Sequence, residues 1–181
     1  MARQQAGVAV EPVIRPATEA DAETIVQAVR RLGEHVGIPE KVTSTAEDMR
    51  RYGFGDDPMF ECLIAEIGGE AAGVCIFFRS FSTFNGRPGV YVQDLIVDER
   101  FRGAGVGERL LRRAAAVTKE RGGTYMRLAV DIGNPDAGRF YQRLGLKHVD
   151  DDLIYAAYGE AFRRLAEEPP SHAAQNRGDQ P

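Results

Sequence analysis

Three textures follow one another along the chain. The first third carries apolar residues at helical spacing, the middle carries β-branched and aromatic runs between turn residues, and helix and strand patterns then alternate. Val13 to Arg15 predicts a short strand. A helix follows, with Thr18 as N-cap, Asp21 standing in for the capping-box acid, and Ile25, Val29 and Leu32 along one face. A second helix is expected to start at Ser44 or Thr45, with Glu47 and Asp48 in its first turn. From Phe60 to Glu99, three apolar runs are separated by Gly68-Gly69 and by Asn85-Gly86 with Pro88-Gly89, which predicts an antiparallel meander of three strands.

The next helix carries Leu110, Leu111, Ala114, Ala115 and Val117 on one face and stops at Gly122-Gly123. "TYMRLAVD" then predicts a strand parallel to the one before the helix, closing a βαβ unit. Asn134 to Gly145 predicts a short helix, Leu146 to Tyr158 a last strand region of one or two strands, and "GEAFRRLAEE" either a terminal helix or a tail segment. The expected fold is therefore α/β, with a mixed sheet whose N-terminal part is antiparallel. Residues 1–12 read as a flexible N-terminus, 13–165 as the folded domain and 166–181 as a disordered tail.

Composition narrows the function classes. A net charge of −4 argues against a nucleic-acid partner, and no apolar run approaches a membrane span. The opening "MARQQAGVAVEPVIR" lacks the apolar centre of a signal peptide, which makes cytoplasmic residence the expectation. Cys62 and Cys75 sit in strand-like runs without metal spacing and read as small buried hydrophobes. His35, His148 and His172 are scattered, so no zinc or other metal site is expected.

The segment with most chemical content is "VDERFRGAGVGERLL", a strand end, a glycine loop and a helix start. It has no lysine and no closing hydroxyl residue, which removes a Walker A loop. A dinucleotide fingerprint fails because the glycines run Gly103, Gly105, Gly107 and the preceding strands form a meander. What remains is a loop whose amides can approach an anion at a helix start, with Arg102 as a nearby cation. A strand that parts from its neighbour to reach this loop can also present backbone groups to an extended, amide-bearing ligand.

This segment resembles the acyl-CoA-binding motif of the GNAT superfamily of N-acetyltransferases: Arg or Gln, two residues, Gly, one residue, Gly or Ala, here Arg102, Gly105 and Gly107. "FSTFNGRPGVYVQDLIV" and "FGDDPMFECLIAE" look like the spermidine/spermine (diamine) and thialysine acetyltransferase group, and the similarity runs from about Val13 to Leu165. The resemblance implies acetyl-CoA as co-substrate, its pyrophosphate on the amides of Arg102, Gly103, Ala104, Gly105, Val106 and Gly107, and its pantetheine arm along Leu95, Ile96 and Val97. It also places Asn134 and Tyr141 near the cofactor arm and sulfur, and implies a homodimer.

Acetyl transfer from a thioester to an amine requires that an ammonium of pKa about 10.4 lose its proton, that the oxygen of the tetrahedral intermediate meet a donor, and that the departing thiolate gain a proton. Tyr141 suits the last task; Tyr125, Tyr155 and Tyr158 read as packing residues. The base is where the chain departs from the pattern, because polyamine-type relatives typically read Leu-Glu-Asp where this chain has Val92-Gln93-Asp94. An amide accepts no proton at neutral pH. Regular alternation puts Gln93 and Asp94 on opposite faces, so Asp94 substitutes only if a bulge re-aims it.

Three outcomes stay open: a water held by Gln93, another carboxylate such as Asp94 or Glu34, or a less basic amine. Asp94, Asp131 and Asp150 to Asp152 could line an acidic mouth or be solvated surface. Arg109, Arg112, Arg113 and Lys119 could hold a 3′-phosphate or be a solvated helix face. The expected activity is acetyl-CoA-dependent N-acetylation of a small primary amine of the polyamine or thialysine kind, by direct transfer. The rivals are another acceptor (an aminoglycoside, an amino acid or a protein amine) or an acyl-CoA-binding module without turnover.

Overall fold

Strands β1 (Val13–Pro16), β2 (Glu61–Ile67), β3 (Glu70–Ser82), β4 (Arg87–Val97) and β5 (Met126–Leu128) lie side by side in chain order. The first four are antiparallel and β4 pairs with β5 in parallel. The computed structural model describes residues 11–150 and 153–167. They divide into two compact units, one reaching to Ala137 and one starting at Gly138. The sheet and helices α1 (Ala22–His35), α2 (Ala46–Phe54) and α3 (Val106–Glu120) belong to the first.

Period-2 alternation gives the sheet two working faces. On one face Cys62, Ile64, Val74, Ile76 and Ile96 pack with Ala22, Ile25, Val26 and Ala28 of α1 and Met49 of α2. On the other face Gly73 lies directly under α3, where a Cβ would stand 2.8 Å from both the Ile96 carbonyl oxygen and Val106 Cγ1. The missing side chain is what lets α3 lie this close. Of the residues expected on its apolar face, Leu110, Leu111 and Ala114 are buried and Val117 is half-buried, but Ala115 is exposed.

Local signals set the helix starts. Asp21 accepts from the Thr18 amide at 2.7 Å, and the box opens a short 3-10 turn (Glu19–Asp21) that leads into α1. Thr45 and Asp48 exchange the same pair of bonds at the start of α2. Arg15 on β1 then ties three segments together. Its two terminal nitrogens each lie 2.8 Å from Asp21, and its Nε donates to Glu66 of β2 at 2.9 Å. The Arg15 guanidinium and the Thr18 donors hold the Asp21 carboxyl well below the usual carboxylate range.

Two strand expectations need correction. β5 keeps only three residues of "TYMRLAVD", paired through Val90↔Met126, Tyr91↔Arg127 and Val92↔Leu128. Beyond Val92 the path of β4 changes and the pairing ends. No strand forms between Leu146 and Tyr158 among the described residues; Asp151 and Asp152 lie outside them. An apolar run needs a partner backbone to become a strand, and Leu153 to Tyr158 are paired with none.

The second unit holds most of helix α4 (Pro135–Arg143), a turn at Gly145 (φ 89°), and helix α5 (Gly159–Ala166), which settles that segment as helical. Tyr155 and Tyr158 are exposed there instead of packed. The expected loose N-terminus and C-terminal tail, and His172 with them, fall almost wholly outside the described residues.

Candidate active site

The site begins with an irregularity in β4. Ile76 pairs with Asp94 and Phe77 with Val92, so Gln93 is an extra residue with no partner on β3. This β-bulge resets the alternation. Val92 is buried on the α3 face opposite Phe77, whereas Asp94, opposite Ile76, now points to the α1/α2 face. Gln93 borders the same hollow as Asp94. The condition for Asp94 to stand in for the missing acid is thus met by the backbone.

The bulge also changes which backbone groups β4 offers outward. The Asp98 amide donates to the Ala72 carbonyl at 3.0 Å, so alternate residues Asp94 and Ile96 direct their backbone groups to that side. Leu95 and Val97 then turn their N–H and C=O groups away from β3, toward the side where β5 has already ended. An open strand edge two residues deep is a place where an amide-bearing chain can pair.

Past this edge the chain enters the glycine loop. Asp98 anchors the entry: it accepts from the Arg100 amide at 3.0 Å and pairs with Arg31 of α1 at 2.8 Å, while Arg100 reaches Glu70 at 2.8 Å. The Arg100 side chain, whose Nε donates to Asp98 at 3.1 Å, and the Arg100 amide hold the Asp98 carboxyl below the usual carboxylate range, with Arg31 adding its charge. Gly103 (φ 80°) and Gly105 (φ 74°) adopt left-handed conformations that other residues rarely take. Gly105 is the N-cap of α3 and supplies no side-chain cap, and Arg109 makes the first backbone bond to it, at 3.1 Å. The amides of Val106, Gly107 and Glu108 therefore precede the intrahelical ladder and are suited to an anion.

Arg102 is exposed at the loop, 3.3 Å from Glu99, and Ala104 is exposed beside it. Of the basic residues on α3, Arg109 pairs with Glu11, Arg112 with Glu108 and Arg113 with Glu120.

A hollow of about 370 Å³ opens on the α1/α2 face over the bulge. Its walls are Val29 of α1, Met49 of α2 with Ser44 just before it, Met59 and Phe60 leading into β2, Ile76 and Phe78 of β3, and Gln93 and Asp94 of β4. The volume falls in the range of about 300–1,000 Å³ usual for small-molecule sites. Burial pushes the Asp94 carboxyl above the usual carboxylate range, and no ion pair meets it among the described residues. Glu34, the other carboxylate considered, is exposed and not part of this wall. The sequence pattern gave Met49, Met59, Phe60 and Phe78 no role in a pocket; the signal that bears on them is the Met59-Phe60 pair straight after the polar Gly55-Asp56-Asp57-Pro58 turn, inside the segment that resembles the thialysine and diamine group.

Asn134 lies in the first unit, where its side-chain oxygen accepts from the Ala137 amide at 3.1 Å and starts α4. Asp131 accepts from the Gly133 amide. Tyr141 belongs to the second unit; its ring stands edge-on to Phe140 with centroids 5.1 Å apart, and its carbonyl accepts from Leu144 and Leu146. Tyr125 is a packing residue, bonded to Ser80 at 3.0 Å and set against Gly89. The two thiols are poor nucleophiles: burial raises Cys62, and pushes Cys75 up to about 12. Among the described residues no cluster of three or more His, Cys, Asp or Glu could hold a metal, and no helix is long and apolar enough to cross a membrane.

Residues 25–146 match the acetyltransferase (GNAT) family. A thialysine N-epsilon-acetyltransferase of Bos taurus is 33% identical over 165 residues, covering 85% of this chain and 96% of the bovine protein. A spermidine/spermine N(1)-acetyltransferase-like protein of Homo sapiens is 27% identical over 139 residues, covering 73% of this chain and 20% of the human one. Among solved structures, an integron cassette protein from the mobile metagenome of V. cholerae has a TM-score of 0.74 at 19% identity, covering 90% of this chain and all of that one. A family match across most of the sheet and its helices, with the bovine relative matched along nearly its whole length, makes the chain an acetyltransferase of the GNAT family.

Proposed function

We propose that the enzyme transfers an acetyl group from acetyl-CoA directly to a small primary amine, with Asp94 as the proton acceptor. The observation that carries this reading is the bulge at Gln93, which turns Asp94 into the hollow and begins the open edge of β4 at the same place. Thialysine and spermidine/spermine acetyltransferases among the relatives support an amine of this size.

The residues present fit acetyl-CoA. The Leu95 and Val97 backbone groups suit its pantetheine amides, and the uncapped amides from Gly105 to Glu108 suit its pyrophosphate, with Arg102 as a movable cation. When bound, acetyl-CoA supplies an activated acyl group. The chain supplies everything else. Asp94 takes a proton from the incoming ammonium, and its raised basicity brings it closer to that task than an ordinary exposed carboxylate. Gln93 orients the amine or a water by hydrogen bonding. In the same reading Tyr141 returns a proton to the thiolate, and Asn134 lies along the cofactor arm. With both thiols buried and raised, direct transfer is favoured over a covalent acyl-enzyme. The homodimer implied by the resemblance belongs to this reading too, and sedimentation velocity tests it.

Release of CoA thiol from acetyl-CoA, followed with small amines from pH 6.5 to 9.5, tests the function. Turnover that falls at least tenfold in Tyr141→Phe while acetyl-CoA binding persists supports the assignment. Turnover unchanged in that variant removes Tyr141 from the mechanism.

A further inference from the structure

The wall of the hollow carries a specificity that the relatives' names do not. Among the described residues Asp94 is its single carboxylate, placed where β4 bulges; Gln93 and Ser44 are its other polar groups, and the remaining surfaces are thioether, aromatic and aliphatic. Met49 is buried at its base, Phe60 and Phe78 are half-buried at its sides, and Met59 stands at the rim, 69% exposed. Phe78 is held in place by stacking on Tyr91 at 5.1 Å.

We propose that the acceptor is an amine with one positive charge and an apolar body, its nitrogen at Asp94 and its carbon skeleton among Met49, Phe60 and Phe78. The inference rests on the acetyltransferase reading above and narrows its substrate class. One carboxylate neutralises one ammonium. A second ammonium drawn into the hollow with a diamine or polyamine meets no second carboxylate among the described residues of the wall, and burying an unpaired charge among apolar groups is strongly disfavoured. Asp56 and Asp57 are exposed in the turn before Met59 and lie outside the wall, where an ion pair with solvent access contributes little. A thialysine-type acceptor meets the same obstacle through its α-ammonium and α-carboxylate. An alkyl or aryl-alkyl amine instead buries its body against the two rings and the thioethers, contacts that are favourable without further charge.

The test compares kcat/KM for 2-phenylethylamine and n-hexylamine with that for spermidine, putrescine and thialysine, by CoA thiol release at one pH with acetyl-CoA saturating. The two apolar amines are expected to lead by about tenfold or more, the discrimination usual for a hydrophobic pocket. Met59→Asp, at an exposed position that leaves the core intact, adds a carboxylate at the rim. It is expected to lower KM for putrescine severalfold and to raise it for n-hexylamine. Preference for spermidine, putrescine or thialysine in the unaltered enzyme overturns the inference and leaves the acetyltransferase reading standing. Absence of CoA release with every amine overturns both.

Discussion

The two halves of β4 are built from similar residues and do different work. From Arg87 to Val92 the strand is paired toward β3 throughout, its last three residues are paired with β5 as well, and Val90 and Val92 are buried. From Asp94 to Val97 it keeps β3, loses β5, and acquires a half-buried carboxylate over a hollow. One extra residue separates these regimes. The comparison teaches that a scaffold strand gains an open edge when its pairing is interrupted on one side only, because the other side continues to hold it in place.

The strongest way to break the comparison is Asp94→Asn. If the second half of β4 is catalytic, kcat falls by about 10²- to 10⁴-fold, measured by CoA release, while acetyl-CoA affinity by calorimetry is retained. The same variant has a second signature. Burial raises the Asp94 pKa in the fold, so the group favours folding below its unfolded value and this contribution is lost as pH rises through the folded value. Asp94→Asn is therefore expected to melt higher than the parent at pH 7 and to lose that advantage near pH 4. The ascending limb of kcat/KM against pH belongs to the ionised carboxylate and should vanish with it. A variant that keeps its rate within threefold ends the role assigned to Asp94.

Gly73→Ala tests whether the open edge and the loop are held by the packing beneath them. Its Cβ would meet the Ile96 carbonyl and Val106 at 2.8 Å and Leu110 Cδ1 at 3.2 Å. Overpacking of this kind costs about 1–3 kcal/mol, read by denaturant unfolding, with weaker acetyl-CoA binding as the accompanying result. Unchanged stability would mean that α3 moves aside freely.

Asp21→Asn probes the paired end of the sheet, far in sequence from the bulge. Loss of its bonds to Arg15 should lower stability by about 1–3 kcal/mol at neutral pH and leave kcat/KM unaltered. Because the Asp21 pKa is depressed, its contribution is present above the ordinary carboxylate value of about 3.9 and lost as pH falls below it. The parent's acid unfolding limb should be shallower in the variant.

The smallest effect is expected at Gln93. Gln93→Ala should change kcat by less than about tenfold, since an amide only orients. Gln93→Glu would set a second carboxylate beside Asp94, and mutual repulsion should move the ascending pH limb upward.

Local features were legible in the sequence. Thr18 with Asp21, and Thr45 with Asp48, announce helix starts because a capping box involves only residues three apart. The glycine loop was legible for the same reason, since φ values near 80° at Gly103 and 74° at Gly105 are properties of single residues. The bulge was not: whether Gln93 pairs depends on the register of β4 against Ile76 and Phe77 of β3, and nothing adjacent in sequence fixes that. The failure at Leu146 to Tyr158 has the same origin. Its apolar composition fits a strand, but strand formation is a property of two segments together. The pocket wall drew on α1, α2, β3, β4 and the segments leading into α2 and β2, so its apolar character became visible only when these were assembled.

The contact at Gly73 has a further consequence. Gly73 is paired across from Val97 on β4 and lies under Val106 on α3, so the open strand edge and the uncapped helix amides share one joint. If both take acetyl-CoA as proposed, two weak recognition surfaces fixed at a constant separation act as a bivalent receptor. A molecule that bridges them meets the second surface at a high effective concentration, whereas its separated halves do not. Fragments that end short of either surface are therefore expected to bind far more weakly, and a flexible joint at this glycine would erase most of the gain from linking them.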